Sequence, residues 1–167
     1  MKKICAIFLS SLFLFSLVGC AKTYHGTEEL LEKAREEFPI AEAETAEIRY
    51  AGMCGKENKV LCWFVSGNEY QVHTYLPMEA DVLGKDAYRF VHTYKPIMRA
   101  EDIAVLLWQR GTAFLINHPD CAEVKITDEN GVHFEKIEKD ALPYVFYWPT
   151  IATEYVFLDA EGNVLES

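Results

Sequence analysis

The sequence lacks the short motifs by which many enzymes are recognised. It contains no Gly-x-Ser-x-Gly nucleophile elbow, no His-Glu-x-x-His zinc helix and no phosphate-binding loop. Catalytic groups can also be scattered along a chain, so these absences do not exclude an enzyme. They do favour binding over catalysis, and we expect a non-catalytic domain that needs no cofactor.

Basic residues are scarce as well. The chain has 16 Lys and Arg residues against 26 Asp and Glu residues, and its formal net charge is −10. Nucleic acid and anionic lipid headgroups are both bound by basic surfaces, so we expect no nucleic-acid partner and no electrostatic adhesion to a membrane. The acidic charge suits a basic protein partner or a cationic ligand, and it also favours solubility.

Cysteine is sparse and forms no metal-binding pattern. The five cysteines include no Cys-x-x-Cys pair, so we expect no zinc site. Cys54 and Cys62 flank a turn, and a three-residue loop at 57–59 would place them directly opposite each other. A loop of two or four residues would not, and a disulfide therefore depends on that register. The alternative is two small buried thiols.

The chain has one long apolar run, residues 4–18, and this run is shorter than the ~20 residues that span a bilayer. It follows Lys2 and Lys3 and ends in small residues, which is typical of a secretory signal peptide. The run leads into the sequence Leu17-Val18-Gly19-Cys20. An ordinary signal peptide does not require a cysteine at the cleavage point, so that interpretation would leave Cys20 unexplained.

This segment resembles the lipobox of bacterial lipoproteins, in which a branched residue, a small or branched residue, and Gly or Ala precede the cysteine. The resemblance implies that residues 1–19 are a signal peptide and that Cys20 carries a diacylglycerol anchor with palmitate-like chains. The chain would then be held on the cell membrane or outer membrane, facing outside the cytoplasm. Loss of Lys2 and Lys3 would change the formal net charge from −10 to −12. We expect a tether at 20–26 and a single domain at 27–167.

A helix is predicted over residues 27–38. Thr27 suits its N-cap, Glu28 and Glu29 favour the positive end of its dipole, and Pro39 ends it. Four apolar residues recur at helical spacing, namely Leu30, Leu31, Ala34 and Phe38. This stripe needs a surface to bury it, and we expect that surface to be a sheet.

The rest of the chain has the pattern of strands joined by turns. The predicted strands are 60–66, 69–76, 87–94, 103–108, 112–117, 123–127, 132–137, 144–148, 155–158 and 163–165. The segment 103–108 also fits a short helix, because apolar runs of this length are ambiguous. The fold class is therefore α+β: an N-terminal helix packed on a curved, mostly antiparallel sheet. The sheet would be either barrel-like or two-layered.

Gly67-Asn68 predicts a two-residue hairpin turn. Such a turn pairs Trp63 with Val72 and, on the other face, Cys62 with His73. A Cys/His pair could be a nucleophile with its base or two metal ligands. The alternative, which we favour, is a structural histidine on a partly exposed sheet face.

Residues 128–131 predict a second hairpin. If its loop has three residues, Ile126 faces Phe134 and Lys125 faces Glu135. Residues 159–162 repeat the same turn chemistry. Neither turn has the alternating oxygen ligands of a calcium loop.

Residues 117–121 contain His118, Asp120 and Cys121 around a proline. One hypothesis is a Cys121 nucleophile assisted by a histidine. The other is a connection between two strands, shaped by bonds from Asn and Asp side chains to the backbone. We favour the connection.

Aromatic residues are abundant on two predicted strands, where they alternate along one face of the first and lie on both faces of the second. Tyr88 and Phe90 lie on one of them, and Tyr147 and Trp148 lie on another. Exposed aromatic residues mark ligand grooves or protein interfaces, although core packing accounts for most of them. These four residues are candidate binding residues.

The leading functional hypothesis is an anchored, non-catalytic domain that binds a protein or a small molecule at the cell envelope, or that has an accessory role there. A second hypothesis is an inhibitor of a basic envelope enzyme, because acidic anchored β-rich domains resemble in outline the lysozyme inhibitors of bacterial envelopes. A third is a thiol-dependent enzyme that uses Cys62 or Cys121.

Overall fold

The computed structural model describes residues 22–39, 47–67, 73–99 and 102–165. The predicted leader and Cys20 lie outside the described residues, and so do residues 69–72 of a predicted strand. Within the part of the chain that is described, no helix is long and apolar enough to cross a membrane.

The described residues form one α-helix, α1 (Gly26–Glu37), a 3-10 turn (Lys139–Ala141) and twelve strands. The strands are β1 (Thr23–His25), β2 (Ile48–Lys56), β3 (Lys59–Ser66), β4 (His73–Gly84), β5 (Ala87–Thr93), β6 (Ile97–Arg99), β7 (Ile103–Trp108), β8 (Gly111–Ile116), β9 (Glu123–Asp128), β10 (Gly131–Lys136), β11 (Tyr144–Trp148) and β12 (Glu154–Leu158). They build three antiparallel sheets. Sheet A has the order β1-β5-β4-β3-β2 with β6 beside β4, sheet B has β11-β8-β7, and sheet C has β10-β9-β12.

The predicted α+β class is confirmed, since one helix packs on antiparallel sheets. The described strands do not close into a barrel. The segment 103–108 is a strand rather than a helix.

Helix α1 lies on one face of sheet A. It begins at Gly26, one residue before the predicted start, and the His25 N–H donates to Glu29 Oε2 at 2.8 Å. Leu30 and Ala34 are fully buried against the side chains of the sheet, and Phe38 follows them at the C-terminal end. The apolar stripe predicted from the sequence therefore packs on a sheet, as expected.

Strand β3 is buried on both of its faces. Cys62 and Phe64 point toward α1, whereas Leu61, Trp63 and Val65 point toward a second cluster that contains residues of β7 and β8. Sheet A is thus the middle layer between the helix and sheet B, and burial of both faces explains why β3 is apolar almost throughout.

The tight hairpin predicted at Gly67-Asn68 is wrong. Ser66 pairs with Thr74 and Trp63 faces Pro77, so the connection between β3 and β4 is longer than two residues. A strand that is apolar on both faces has no polar side to fix its register, so the residue pattern did not identify the correct pairing. Cys62 consequently faces Met78 and not His73.

Sheet B packs on sheet A, and sheet C packs on the other side of sheet B. Strand β11 lies beside β2, where Gly52 forms a bulge with a φ of +138°. A Cβ atom on Gly52 would lie 2.8 Å from Val145 Cγ2, so a glycine is required for this approach. Phe114 and Ile116 of β8 are buried against β9 of sheet C, which is the layer farthest from α1.

The second hairpin is present, but its register differs from the prediction. Its loop contains only Glu129 and Asn130, because Asp128 pairs with Gly131. Ile126 therefore faces His133, and Lys125 faces Phe134. The turn at 159–162 is confirmed, since Asp159 Oδ1 accepts bonds from the N–H groups of residues 161 and 163 at 2.9 and 2.7 Å.

The tether expected at 20–26 is wrong for its second half. Residues 23–25 form strand β1, which pairs with β5, and Tyr24 is only 7% exposed. Residues 23–26 therefore belong to the folded domain, which was expected only from Thr27.

Candidate functional site

A depression of about 300 Å³ opens where three connections meet: the β7–β8 turn, the β9–β10 turn and the segment between β11 and β12. Its walls combine one cation, one carboxylate, two hydroxyls and two apolar side chains. The lining residues are Arg110, Glu129, Pro149, Thr150, Ile151 and Thr153.

The β7–β8 turn is strained. Gln109 and Arg110 have φ angles of +47° and +61°, a conformation that non-glycine residues seldom adopt. Two contacts hold the turn, since the Gln109 side chain donates to Glu79 Oε2 at 3.2 Å and the Tyr147 hydroxyl donates to the Gln109 carbonyl at 2.9 Å. Such strain persists only where neighbouring structure supports it, and it is frequent at binding sites.

Gly111 allows this turn to lie close to β11. A Cβ atom there would be 2.3 Å from the Trp148 carbonyl oxygen and 2.5 Å from the Tyr147 hydroxyl. The hairpin thus brings Arg110 to the rim of the depression through a backbone approach that only glycine permits.

Asp128 anchors the other side of the depression. Its buried carboxylate accepts bonds from Trp148 Nε1 at 2.9 Å, from the Asn130 N–H at 2.7 Å and from the Thr150 hydroxyl, and it lies 3.2 Å from His133 Nε2. The bonds from Thr150 and Trp148 are the main reason why the pKa of Asp128 is well below its ordinary value. Asp128 is therefore an ionised structural acceptor, not a proton donor, at neutral pH.

The segment between β11 and β12 is fixed along its length. The Ala152 N–H donates to Thr112 Oγ1 at 2.9 Å, and the Thr153 N–H donates to the Thr127 carbonyl at 2.8 Å. The rim of the depression is thus held by neighbouring strands before any ligand arrives, which lowers the entropy lost on binding.

A second buried carboxylate supports the β7–β8 turn from sheet A. Glu79 is 3% exposed and accepts bonds from Lys59 Nζ at 2.5 Å, Trp108 Nε1 at 2.8 Å and the Tyr94 hydroxyl at 2.9 Å, in addition to the bond from Gln109. Burial disfavours its charge, but these four donors outweigh burial and lower the pKa of Glu79 to about 2.

His73 lies in a separate cluster at the start of β4. Its Nδ1 atom contacts Asp102 Oδ1, and the fully buried Tyr75 hydroxyl donates to the same oxygen at 2.9 Å. An aspartate can orient an imidazole in this way in a catalytic dyad. The predicted partner of His73, Cys62, lies on the opposite face of sheet A.

The possible disulfide between Cys54 and Cys62 is not formed. The β2–β3 loop has two residues, so Cys54 pairs with Leu61 and the two thiols lie on opposite faces of the sheet. Burial raises the pKa of Cys54 and of Cys62 to about 12. Both are protonated at neutral pH, which does not favour a thiolate nucleophile.

His118, Asp120 and Cys121 form the predicted connection. The Asp120 N–H donates to His118 Nδ1 at 3.2 Å, and Cys121 is fully buried with its thiol 3.8 Å from the Glu123 carbonyl. Burial raises the pKa of Cys121. The imidazole contacts the backbone and not the thiol, so the hydrogen bonds of this segment do not join the three side chains in a catalytic group.

The candidate aromatic residues are divided between core and site. Tyr88 and Phe90 pack in the cluster beneath α1. Tyr147 packs on Trp108 with ring centroids 5.4 Å apart, and Trp148 binds Asp128. Only this second pair supports the depression.

Sequence reasoning missed Gln109, Arg110 and the buried role of Asp128. One signal in the sequence does point to this turn: residues 109 and 110 separate two apolar runs by the length of a two-residue hairpin loop.

Comparison with protein-family models, with curated proteins and with solved structures finds no match to this chain.

Proposed function

We propose that this chain is a lipid-anchored lipoprotein that faces outside the cytoplasm, and that its domain is a non-catalytic binding or accessory module. The observation that carries the proposal is the sequence Leu17-Val18-Gly19-Cys20, which ends three residues before the first strand of the folded domain. Lipid attachment accounts for a cysteine that directly follows Leu17-Val18-Gly19.

The short distance between Cys20 and Thr23 defines how such an anchor would act. Consecutive Cα atoms are 3.8 Å apart, so the Cα of Cys20 lies within about 11 Å of Thr23. A lipidated Cys20 would therefore hold the β1 edge of sheet A next to the bilayer. Two or more acyl chains are needed for a stable anchor, and a diacylglycerol provides them.

The buried carboxylates and thiols with shifted pKa values support binding rather than catalysis. General acids and bases work best with a pKa near the operating pH. The two saturated carboxylates, Glu79 and Asp128, instead have lowered pKa values, and the three described thiols have raised ones. These groups stabilise the fold, and the depression beside Arg110 is the proposed place for a ligand.

The lining of the depression suits a small polar ligand. Arg110 can pair with an anionic group, while Thr150 and Thr153 offer hydroxyls that hydrogen-bond to polar atoms. Pro149 and Ile151 supply the apolar contact that most ligand sites contain.

Anchoring is tested by expressing the full chain in a bacterial host that is fed labelled palmitate. We expect Cys20→Ala to abolish both labelling and cleavage of the leader. Cys5→Ala is a matched control, since it removes the other cysteine of the leader and should change neither. A native amino terminus that still begins at Met1 would contradict the proposal.

Ligand binding is tested by thermal-shift screening of the mature protein against amino acids, short peptides and small organic anions. A ligand of the depression should lose its stabilising effect in Arg110→Gln. Lys85→Gln, in the exposed β4–β5 turn of sheet A, should retain it. If the ligand's stabilising effect fell equally in both variants, the ligand would not bind in this depression.

A second candidate function, inhibition of a basic enzyme, is favoured by the outer surface of α1. Glu28, Glu29, Glu32 and Glu36 are all exposed there. Binding of the mature protein to a lysozyme should then weaken as salt rises and should fail when Glu32 and Glu36 are changed to Lys. Binding that is independent of these two residues would remove α1 as the interface.

A further inference from the structure

Strand β10 is an outer edge of sheet C. The N–H of Ile137 donates to the carbonyl of Ala122 at 2.8 Å, next to the end of the strand. Hydrogen-bonded pairs alternate along an antiparallel ladder, so the odd-numbered residues of β10 bond to β9. The N–H and C=O groups of Val132, Phe134 and Lys136 therefore point away from the sheet.

The other edge of sheet C is covered at one end. Leu158 bridges to Val164, and the Leu165 N–H donates to the Phe157 carbonyl at 2.9 Å. The C-terminal segment thus covers the Phe157–Leu158 end of β12, while among the described residues no strand lies beyond β10.

The open edge carries apolar side chains. Val132 is 52% exposed and Phe134 is 56% exposed, on the same outer face of β10. Native edge strands are usually protected by charge, proline or a bulge, because unpaired backbone and exposed apolar groups favour pairing with another strand. In β10 the outer face has one charged residue, Lys136.

We propose that β10 pairs antiparallel with β10 of a second copy, with Phe134 facing Phe134. The outward backbone groups allow only registers in which even-numbered residues meet even-numbered residues. In the register centred on residue 134, His133 of each copy faces Glu135 of the other. The neighbouring registers place His133 against His133 or Glu135 against Glu135, and like side chains directly opposite each other are disfavoured when charged.

The inner side of the strand does not obstruct this pairing. His133 lies against Trp148 and Asp128, and Glu135 accepts a bond from the Tyr144 hydroxyl at 2.8 Å. Both side chains keep these contacts within their own copy when β10 pairs with β10 of the second copy. The mature chain has a net charge of −12, so two copies repel each other over long distances and the pairing should strengthen as salt rises.

Disulfide trapping tests the register directly. Facing residues of a hydrogen-bonded pair have Cα atoms about 5.5 Å apart, a separation that a disulfide can bridge. Phe134→Cys in the mature, membrane-anchored protein should form a covalent dimer under mild oxidation. Val132→Cys is the matched control, because it is equally exposed on the same face but faces Lys136 and not itself. We expect linking of Phe134→Cys to be at least about tenfold faster, owing to its effective concentration.

A second variant covers the case in which loss of the Phe134 ring weakens the pair. Val132→Cys combined with Lys136→Cys keeps that ring and should give a covalent dimer, whereas each single variant should not. The described thiols are buried, so they do not contribute. Equal linking of the two single variants at positions 132 and 134, together with no gain in the double variant, would overturn the proposal. Faster linking at position 132 would overturn it as well.

Discussion

Replacing Glu79 by Gln is the sharpest test of the buried network beneath the β7–β8 turn. The substitution keeps the shape of the side chain but removes the charge that accepts four hydrogen bonds. Two of the donors, Trp108 Nε1 and Lys59 Nζ, come from different sheets, so the carboxylate links sheet A to sheet B.

The expected loss of stability follows from the burial of the Glu79 carboxylate. Hydrogen bonds to a charged group contribute about 1.5–3 kcal/mol each, and loss of one partner from a buried ion pair costs about 3–5 kcal/mol. Lys59 is partly exposed and also contacts Asp81 at 3.1 Å, so it remains paired in the variant. We therefore expect Glu79→Gln to lower the free energy of unfolding by about 3 kcal/mol.

Urea denaturation, followed by tryptophan fluorescence, measures this change. Asp81→Asn is the matched control, because Asp81 shares Lys59 but its pairs with Lys59 and Arg89 are partly exposed. Pairs of that kind contribute about 1 kcal/mol or less. If Glu79→Gln costs no more than Asp81→Asn, the carboxylate does not have the structural role assigned to it.

The lowered pKa of Glu79 predicts that the stability of the protein depends on pH. The folded protein holds the pKa of Glu79 at about 2, below its ordinary value of 4.5. The stabilisation is therefore complete above pH 4.5 and is lost as the pH falls toward 2. The difference in stability between the natural protein and Glu79→Gln should shrink across this interval. A difference that stays constant down to pH 2.5 would contradict the assignment.

Three further predictions concern the core and the site. The buried thiols Cys54 and Cys62 should not react with a thiol reagent at pH 8 until urea unfolds the protein, because burial raises the pKa of both to about 12. Gly111→Ala should destabilise the protein by about 1–3 kcal/mol, because its Cβ would overlap the β11 backbone. Gly84→Ala, where a Cβ meets nothing within 4 Å, should change stability by less than about 0.5 kcal/mol in the same urea assay. Tyr75→Phe should cost about 1.5 kcal/mol, since it removes a buried hydrogen bond to a carboxylate, and no measurable change would contradict that bond.

The elements of the fold could be predicted where the pattern of residues is local. The stripe of α1 and the limits of β11 follow from apolar spacing over a few residues. The register of β3 against β4 could not be predicted, because both faces of β3 are buried and its sequence shows no alternation. Burial on two sides removes the signal that normally distinguishes one register from the next.

The candidate site was less accessible to prediction for a different reason. Asp and Glu are usually exposed, so the sequence indicates only a turn residue at Asp128 and contains no signal for the burial of Glu79. Their partners are distant in sequence, since Trp148 lies 20 residues from Asp128 and Trp108 lies 29 residues from Glu79. Only the packing of three sheets brings these groups together.

The two buried carboxylates also explain how a strained turn can be kept beside an open depression. Glu79 holds Gln109 from sheet A, whereas Asp128 holds Thr150 from sheet C. Because the turn is fixed from one side and the opposite rim from the other, the depression keeps its shape without a ligand. If the depression binds a ligand as proposed, it loses little entropy when it is occupied, and the affinity should depend on Arg110 and the lining hydroxyls rather than on loop ordering. Loss of Glu79 should consequently weaken ligand binding through the position of Arg110, although Glu79 itself does not line the depression.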